Sequence, residues 1–116
     1  SDAFAEDFVA ERLVDGLITY ELENTTSKPL EILVELLDEE GNVLDAELFS
    51  SPAAPTAILR RDIAYGGLGN RSIDIIRNTS SIRVSATNLG DNSSTSSLPN
   101  PLVILRSSAS FRIRLR

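Results

Sequence analysis

Ile18-Thr19-Tyr20-Glu21-Leu22-Glu23-Asn24-Thr25-Thr26-Ser27-Lys28-Pro29-Leu30-Glu31-Ile32-Leu33-Val34-Glu35-Leu36-Leu37 decides the fold. Apolar and acidic residues alternate with period two on either side of residues 24–29, as half-buried strands require. Ile18, Tyr20 and Leu22 share one face, against Thr19, Glu21 and Glu23 on the other. Pro29 lacks the N–H that a ladder needs, so it closes the polar turn just before the next strand. Leu30, Ile32, Val34 and Leu36 then line a face opposite Glu31, Leu33, Glu35 and Leu37. Leu33 and Leu37 on that second face must meet something, either the N-terminal segment or a partner chain.

Working outward, Asp38-Glu39-Glu40-Gly41-Asn42 reads as a hairpin loop in which Gly41 takes the left-handed conformation that closes a type I turn with a bulge. Residues 43–49 run back, with Phe49 expected on a polar face. Ser51-Pro52-Ala53-Ala54-Pro55 is a crossover, because two prolines in four residues do not sit inside a sheet. Residues 57–65 resume as a strand, with Leu59, Ile63 and Tyr65 on one side and Arg60 and Asp62 on the other. Gly66-Gly67-Leu68-Gly69-Asn70 is a turn. Residues 72–79 read either as a single helical turn or as a strand with Ile73 and Ile75 inward. Ile82, Val84 and Ala86 alternate with Arg83, Ser85 and Thr87. Residues 90–100 form a long polar loop, and residues 102–105 and 111–116 complete the strands. Residues 1–12 are a lead-in, extended or a short helix, with the extended form favoured because residues 9–14 also read as a strand entering an Asp15-Gly16 turn.

About seven short strands with turn signals every eight to twelve residues predict an all-β, antiparallel, immunoglobulin-like β-sandwich occupying residues 13–116 as a single domain. A chain of 116 residues should bury roughly two thirds of its unfolded surface, enough for a core without staples. With no Cys and no His, disulfides, thiolate metal sites and the commonest general base are excluded. A start at Ser1 and the lack of Met suggest that the natural N-terminus lies upstream, where any signal peptide or lipid-anchored cysteine would have stood. No window approaches ~18 uninterrupted apolar residues, so no membrane-spanning helix is expected and the domain should be soluble.

Charge is unevenly placed. Residues 1–50 carry a net charge of −12 and residues 51–116 a net charge of +6. The simplest consequence is that the halves pair through cross-strand ion pairs. Overall acidity argues against nucleic-acid binding.

Candidate chemistry is sparse. The cluster Asp38, Glu39, Glu40, Asp45 and Glu47 does not fit an EF-hand, because Gly41 in sixth position puts Leu36 first; it reads as a solvated hairpin tip. The glycines of 66–70 lack the Lys-Ser/Thr of a phosphate cradle. Ser27-Lys28 lies in an exposed turn, where no desolvated lysine dyad forms. A hydrolase working through carboxylates alone would need two buried acids in one cleft, whereas alternate Glu residues should be solvated. No catalytic residue, cofactor or metal is therefore expected. Asn24, Asn70, Asn78 and Asn92 each begin an N-glycosylation acceptor pattern, read as exposed turns. The candidate binding residues are Arg112, Arg114 and Arg116, alternating with Phe111, Ile113 and Leu115. They should lie beside the strand bearing Glu21 and Glu23, or Glu31 and Glu35; otherwise they form a charge-protected edge or an anion-binding stripe.

Residues 18–30, followed by Val34-Glu35-Leu36-Leu37-Asp38-Glu39-Glu40-Gly41-Asn42-Val43-Leu44, resemble the strand, Asn-Thr-x-Ser-Lys-Pro, strand, Asp-x-x-Gly-x-Val, strand core of immunoglobulin-like bacterial envelope domains. FxLyD-type domains, small periplasmic lipoprotein domains and water-stress (late-embryogenesis-abundant) sandwiches share it. The resemblance implies a secreted or membrane-tethered, non-catalytic module with a structural or protein-interaction role, in the periplasm, at the cell surface or outside the cell. It supplies no catalytic residues. An envelope protein is the first expected partner, and a glycan or another anionic polymer the alternative. Leu33, Leu37 and Phe49 on polar faces would also suit self-association.

Overall fold

The computed structural model describes residues 7–53, 58–88 and 102–115. The described chain is mostly antiparallel β-structure: α1 (Asp7–Arg12), β1 (Leu13–Asn24), β2 (Leu30–Leu37), β3 (Val43–Ser51), β4 (Leu59–Gly66), α2 (Ile73–Asn78), β5 (Ser81–Asn88) and β6 (Val103–Ile113). The strands form two sheets, ordered β4-β1-β6 and β3-β2-β5. Six strands stand among the described residues where about seven were expected.

The alternating stretch occupies the centre of both sheets. Ile18, Tyr20 and Leu22 of β1 face Ile32, Val34 and Leu36 of β2 across one core, joined by Phe49, Ile63, Tyr65 and Ile76. Central strands are the most completely covered, so these positions must be apolar. Residues 38–42 close the β2–β3 hairpin as expected. Gly41 sits at φ 83°, its N–H bonds to the Asp38 carbonyl, and the register slips between Leu36 and Leu37. The segment after β3 carries the chain from one sheet to the other. Its residues 54–57, like residues 90–100, lie outside the described residues.

Three expectations need correction. Asp7–Arg12 is helical rather than extended, the Arg12 guanidinium lying 3.8 Å above the Phe8 ring and bonding to the Phe8 carbonyl. Asp15 and Gly16 lie inside β1, not in a turn. Phe111 of β6 packs across Gly16, where an added Cβ would come within 2.6 Å of the ring; glycine here accommodates a close aromatic neighbour, not a bend. Finally, Phe49 is fully buried and Leu37 nearly so, so neither waits on a polar face.

Of the two readings for 72–79 the helical one is realised. The Ser72 hydroxyl accepts from the Asp74 N–H and caps α2, the role for which serine is favoured. The turn places Ile76 in the core, and Arg77 anchors it to α1 and to the start of β1 through the Ala10 and Leu13 carbonyls.

Candidate functional site

The arginine stripe is split by its partners. β6 lies beside β1, the strand bearing Glu21 and Glu23, but the register sets Arg112 against Asp15. Arg112 Nε donates to both Asp15 oxygens, at 3.0 and 3.1 Å. The hydrogen bond from Arg112 holds the Asp15 carboxyl below its usual range. Arg114 follows the strand and gives its backbone N–H to Arg12; Arg116 lies outside the described residues. On β6 itself, Arg106 is opposite Glu21. No ion pair engages the guanidinium of Arg106 or Arg114 among the described residues.

The expected pairing of the acidic half with the basic half is otherwise plain. Arg83 pairs with Glu35 at 2.9 Å, and a denser network closes the edge between β3 and β4. There Asp45 and Glu47 point inward, with side chains 18% and 15% exposed, and do not belong to a solvated hairpin tip. Arg71 reaches both, Nη1 to Asp45 and Nη2 to Glu47, each at 2.9 Å. The Tyr65 hydroxyl donates to Asp45 at 2.6 Å. Arg61 bonds to Glu47 and to the Leu48 carbonyl, with its guanidinium 4.5 Å above the Phe49 ring.

Burial raises the Glu47 pKa, but the hydrogen bonds from Arg61 and Arg71 outweigh it and hold the carboxyl below its ordinary value. Burial lowers Arg71, and its bonds to Glu47 and Asp45 more than reverse that. Tyr65 is pushed well up by burial and by its bond to Asp45, and Tyr20 by burial and the two nearby carboxylates. Two carboxylates thus converge, but arginine hydrogen-bonds to both, which suits a structural clasp. A general acid needs the opposite environment.

Among the described residues the opposite edge, between β5 and β6, is open. Ile82 and Val84 of β5 pair with Leu36 and Val34 of β2 and so face inward, yet they are 49% and 52% exposed. Across from them the inward positions of β6 include Ser107 and Ala109, opposite Tyr20 and Ile18. These small side chains leave a seam of about 280 Å³ lined by Val34, Ile82, Val84, Leu105, Ser107 and Ala109, with Ile18 and Tyr20 beneath. Each wall is a terminal strand of its sheet, with one row of backbone donors and acceptors turned away from its neighbour.

Other candidates are occupied by structural work. A depression of about 560 Å³ near α1 is lined by Arg12, Arg77 and Arg114, but Arg77 already donates to Ala10, Leu13 and Asp74. Asp38 Oδ1 accepts from the Glu40 and Asn42 N–H groups, so this carboxylate closes its own turn. No group of three or more metal-ligating side chains forms among the described residues. Asn24, expected in an exposed turn, is buried; Asn70 and Asn78 are exposed and Asn92 lies outside the described residues.

Sequence reasoning missed the seam and the inward turn of Asp45 and Glu47. One signal for the seam was available: β6 reads Ser107-Ser108-Ala109-Ser110, small residues where a strand facing a packed interior would carry large ones. No protein-family model, curated protein or solved structure matches this chain.

Proposed function

We propose that this chain is a non-catalytic protein-interaction module of the bacterial cell envelope, built on an immunoglobulin-like framework, whose contact surface is the seam between β5 and β6. The half-exposure of Ile82 and Val84 on an inward-facing side carries the reading. Apolar side chains aimed at a core but left in contact with water favour association, at roughly 25 cal/mol per Å² covered. The inward carboxylates Asp45 and Glu47 support a non-catalytic role, since arginine partners hold both. The envelope placement rests on the resemblance of residues 18–44.

Site-specific photo-crosslinking in the cells of origin tests the interaction. A photoreactive residue at Val84 should yield a discrete adduct, whereas one at Leu48, equally exposed on the outer face of the other sheet edge, should not. Equal or absent adducts at the two positions overturn the proposal.

The guanidinium groups of Arg106 and Arg114, which form no ion pair among the described residues, favour a second reading, binding of a glycan or another anionic polymer. It requires retention on heparin that weakens with salt and falls in an Arg106→Ser/Arg114→Ser variant. No retention at low salt eliminates it.

A further inference from the structure

The seam also specifies the chemistry of its occupant. Resting on the interaction reading above, we propose that the outer edge of β6 accepts an extended segment of a partner protein in which apolar residues alternate with acidic ones.

Shape comes first. The space lies between two strands that are terminal in their sheets among the described residues, and such strands carry a row of unpaired backbone groups. An added strand satisfies those groups and inserts every second side chain, which is how sheet augmentation combines affinity with specificity. Running antiparallel to β6, such a strand would continue the β4-β1-β6 sheet. Its inward side chains would then lie over Ile82 and Val84, inward-facing apolar residues that the described chain leaves about half exposed.

Charge decides the outward positions. β5 and β6 contain Arg83, Arg106 and Arg112 and no carboxylate, although the chain as a whole carries −6. Arg83 and Arg112 already hold Glu35 and Asp15, whereas Arg106 on the outward face of β6 has no ion-pair partner among the described residues. Acidic residues at the outward positions of an added strand would stand directly beside Arg106, the cross-strand placement in which opposite charges attract. A second copy of this chain joined edge to edge would instead bring together two strands that each carry Arg106 and Arg112 and no carboxylate, so self-pairing through the seam is disfavoured.

The test supplies the missing strand in cis. A flexible Gly/Ser turn and an eight-residue segment are appended to the full chain after Arg116, with the segment alternating Val/Glu, Val/Lys or Ser/Glu. The Val/Glu fusion should raise Tm by about 5 °C over the unfused chain and slow amide exchange in β6. The Ser/Glu fusion should leave both unchanged, and Val/Lys should gain less than half as much. Changing the exposed Arg106→Glu should reverse the order of Val/Glu and Val/Lys without lowering the Tm of the unfused chain by more than about 2 °C. Equal stabilisation by Val/Glu and Ser/Glu, insensitivity to the sign of the charge, or full protection of β6 in the unfused chain would overturn the proposal. A specific crosslink at Val84 combined with failed fusions would keep the interaction reading and reject the strand. Failure of both would reject both.

Discussion

Asn24 shows how one side chain can tie a turn to the core. Its Nδ2 donates to the Lys28 carbonyl at 2.8 Å and to the Pro52 carbonyl at 3.0 Å, while Oδ1 accepts from the Thr26 N–H and hydroxyl. All of its hydrogen-bonding capacity is used, and with 2% of its surface exposed no glycan can be attached in the folded state. Asn24→Ala should lower the unfolding free energy by about 2–3 kcal/mol, the cost of leaving buried groups unpaired. Asn24→Asp should be no better, because a carboxylate cannot donate to two carbonyls; urea denaturation measures both. The tyrosines give a second residue-scale prediction. The chain has two, both with pKa values raised in the fold, Tyr65 the more strongly. A group raised above its unfolded value stabilises the fold below the unfolded pKa, about 10, and that stabilisation is lost as pH rises. Absorbance at 295 nm should therefore show little tyrosinate in the folded protein at pH 10.5. Its appearance should coincide with loss of the β-sheet circular-dichroism signal, whereas urea-unfolded chain should titrate near pH 10.

At the scale of elements, α2 depends on its cap and β1 on its glycine. A six-residue helix is too short to persist by itself, so it relies on Ser72, on Arg77 and on the burial of Ile76. Ser72→Ala should cost about 1 kcal/mol by chemical denaturation, with the sheets intact by circular dichroism. Gly16→Ala should displace the Phe111 ring and cost about 1–3 kcal/mol, with amide shifts concentrated in β1 and β6. A change spread evenly over both sheets would contradict this account of the close approach. Elements were also where sequence reasoning was strongest: the β2–β3 hairpin, with Gly41 at its positive φ, and the central strands stand as the alternation predicts. Periodicity is weaker at β3, where Asp45, Glu47 and Phe49 share a face. Alternation identifies two faces but does not say which one turns inward, and here the face with two carboxylates does so because Arg61 of β4 and Arg71, just beyond that strand, meet it.

On the whole-molecule scale, the two open sides of the packed sheets are treated differently. One is fastened by charge and the other is left apolar. Asp15, Glu35, Asp38 and Glu47 all have carboxyl pKa values below their ordinary range, for Asp15, Glu35 and Asp38 through hydrogen bonds to Arg112, Arg83 and Asn42, and for Glu47 against its burial through Arg61 and Arg71. Groups with depressed folded pKa values stabilise the fold above their unfolded values of 3.8 for Asp and 4.5 for Glu. That contribution disappears as pH falls through the folded values. Stability should thus be flat from about pH 7 to 5 and decline steeply below about pH 4, with a shallower decline in Glu47→Gln; urea midpoints across that range measure the slope. Arg71→Met, which removes the arginine shared by Asp45 and Glu47, should cost about 3 kcal/mol and should shrink the difference between pH 6 and pH 3 that Glu47 confers.

The amino-acid sequence by itself determined the all-β class, the central strands, the hairpin turn and the division into an acidic and a basic half, because each follows from local spacing and from chemistry within a few residues. The tertiary structure decided which acid meets which arginine, that Asn24 is buried, that Asp45 and Glu47 turn inward, and that the β5–β6 side stays open. Those outcomes depend on how two sheets are stacked and on which strands finish at their edges. Residues distant in the chain, such as Asp15 and Arg112, become neighbours only through that stacking and pairing.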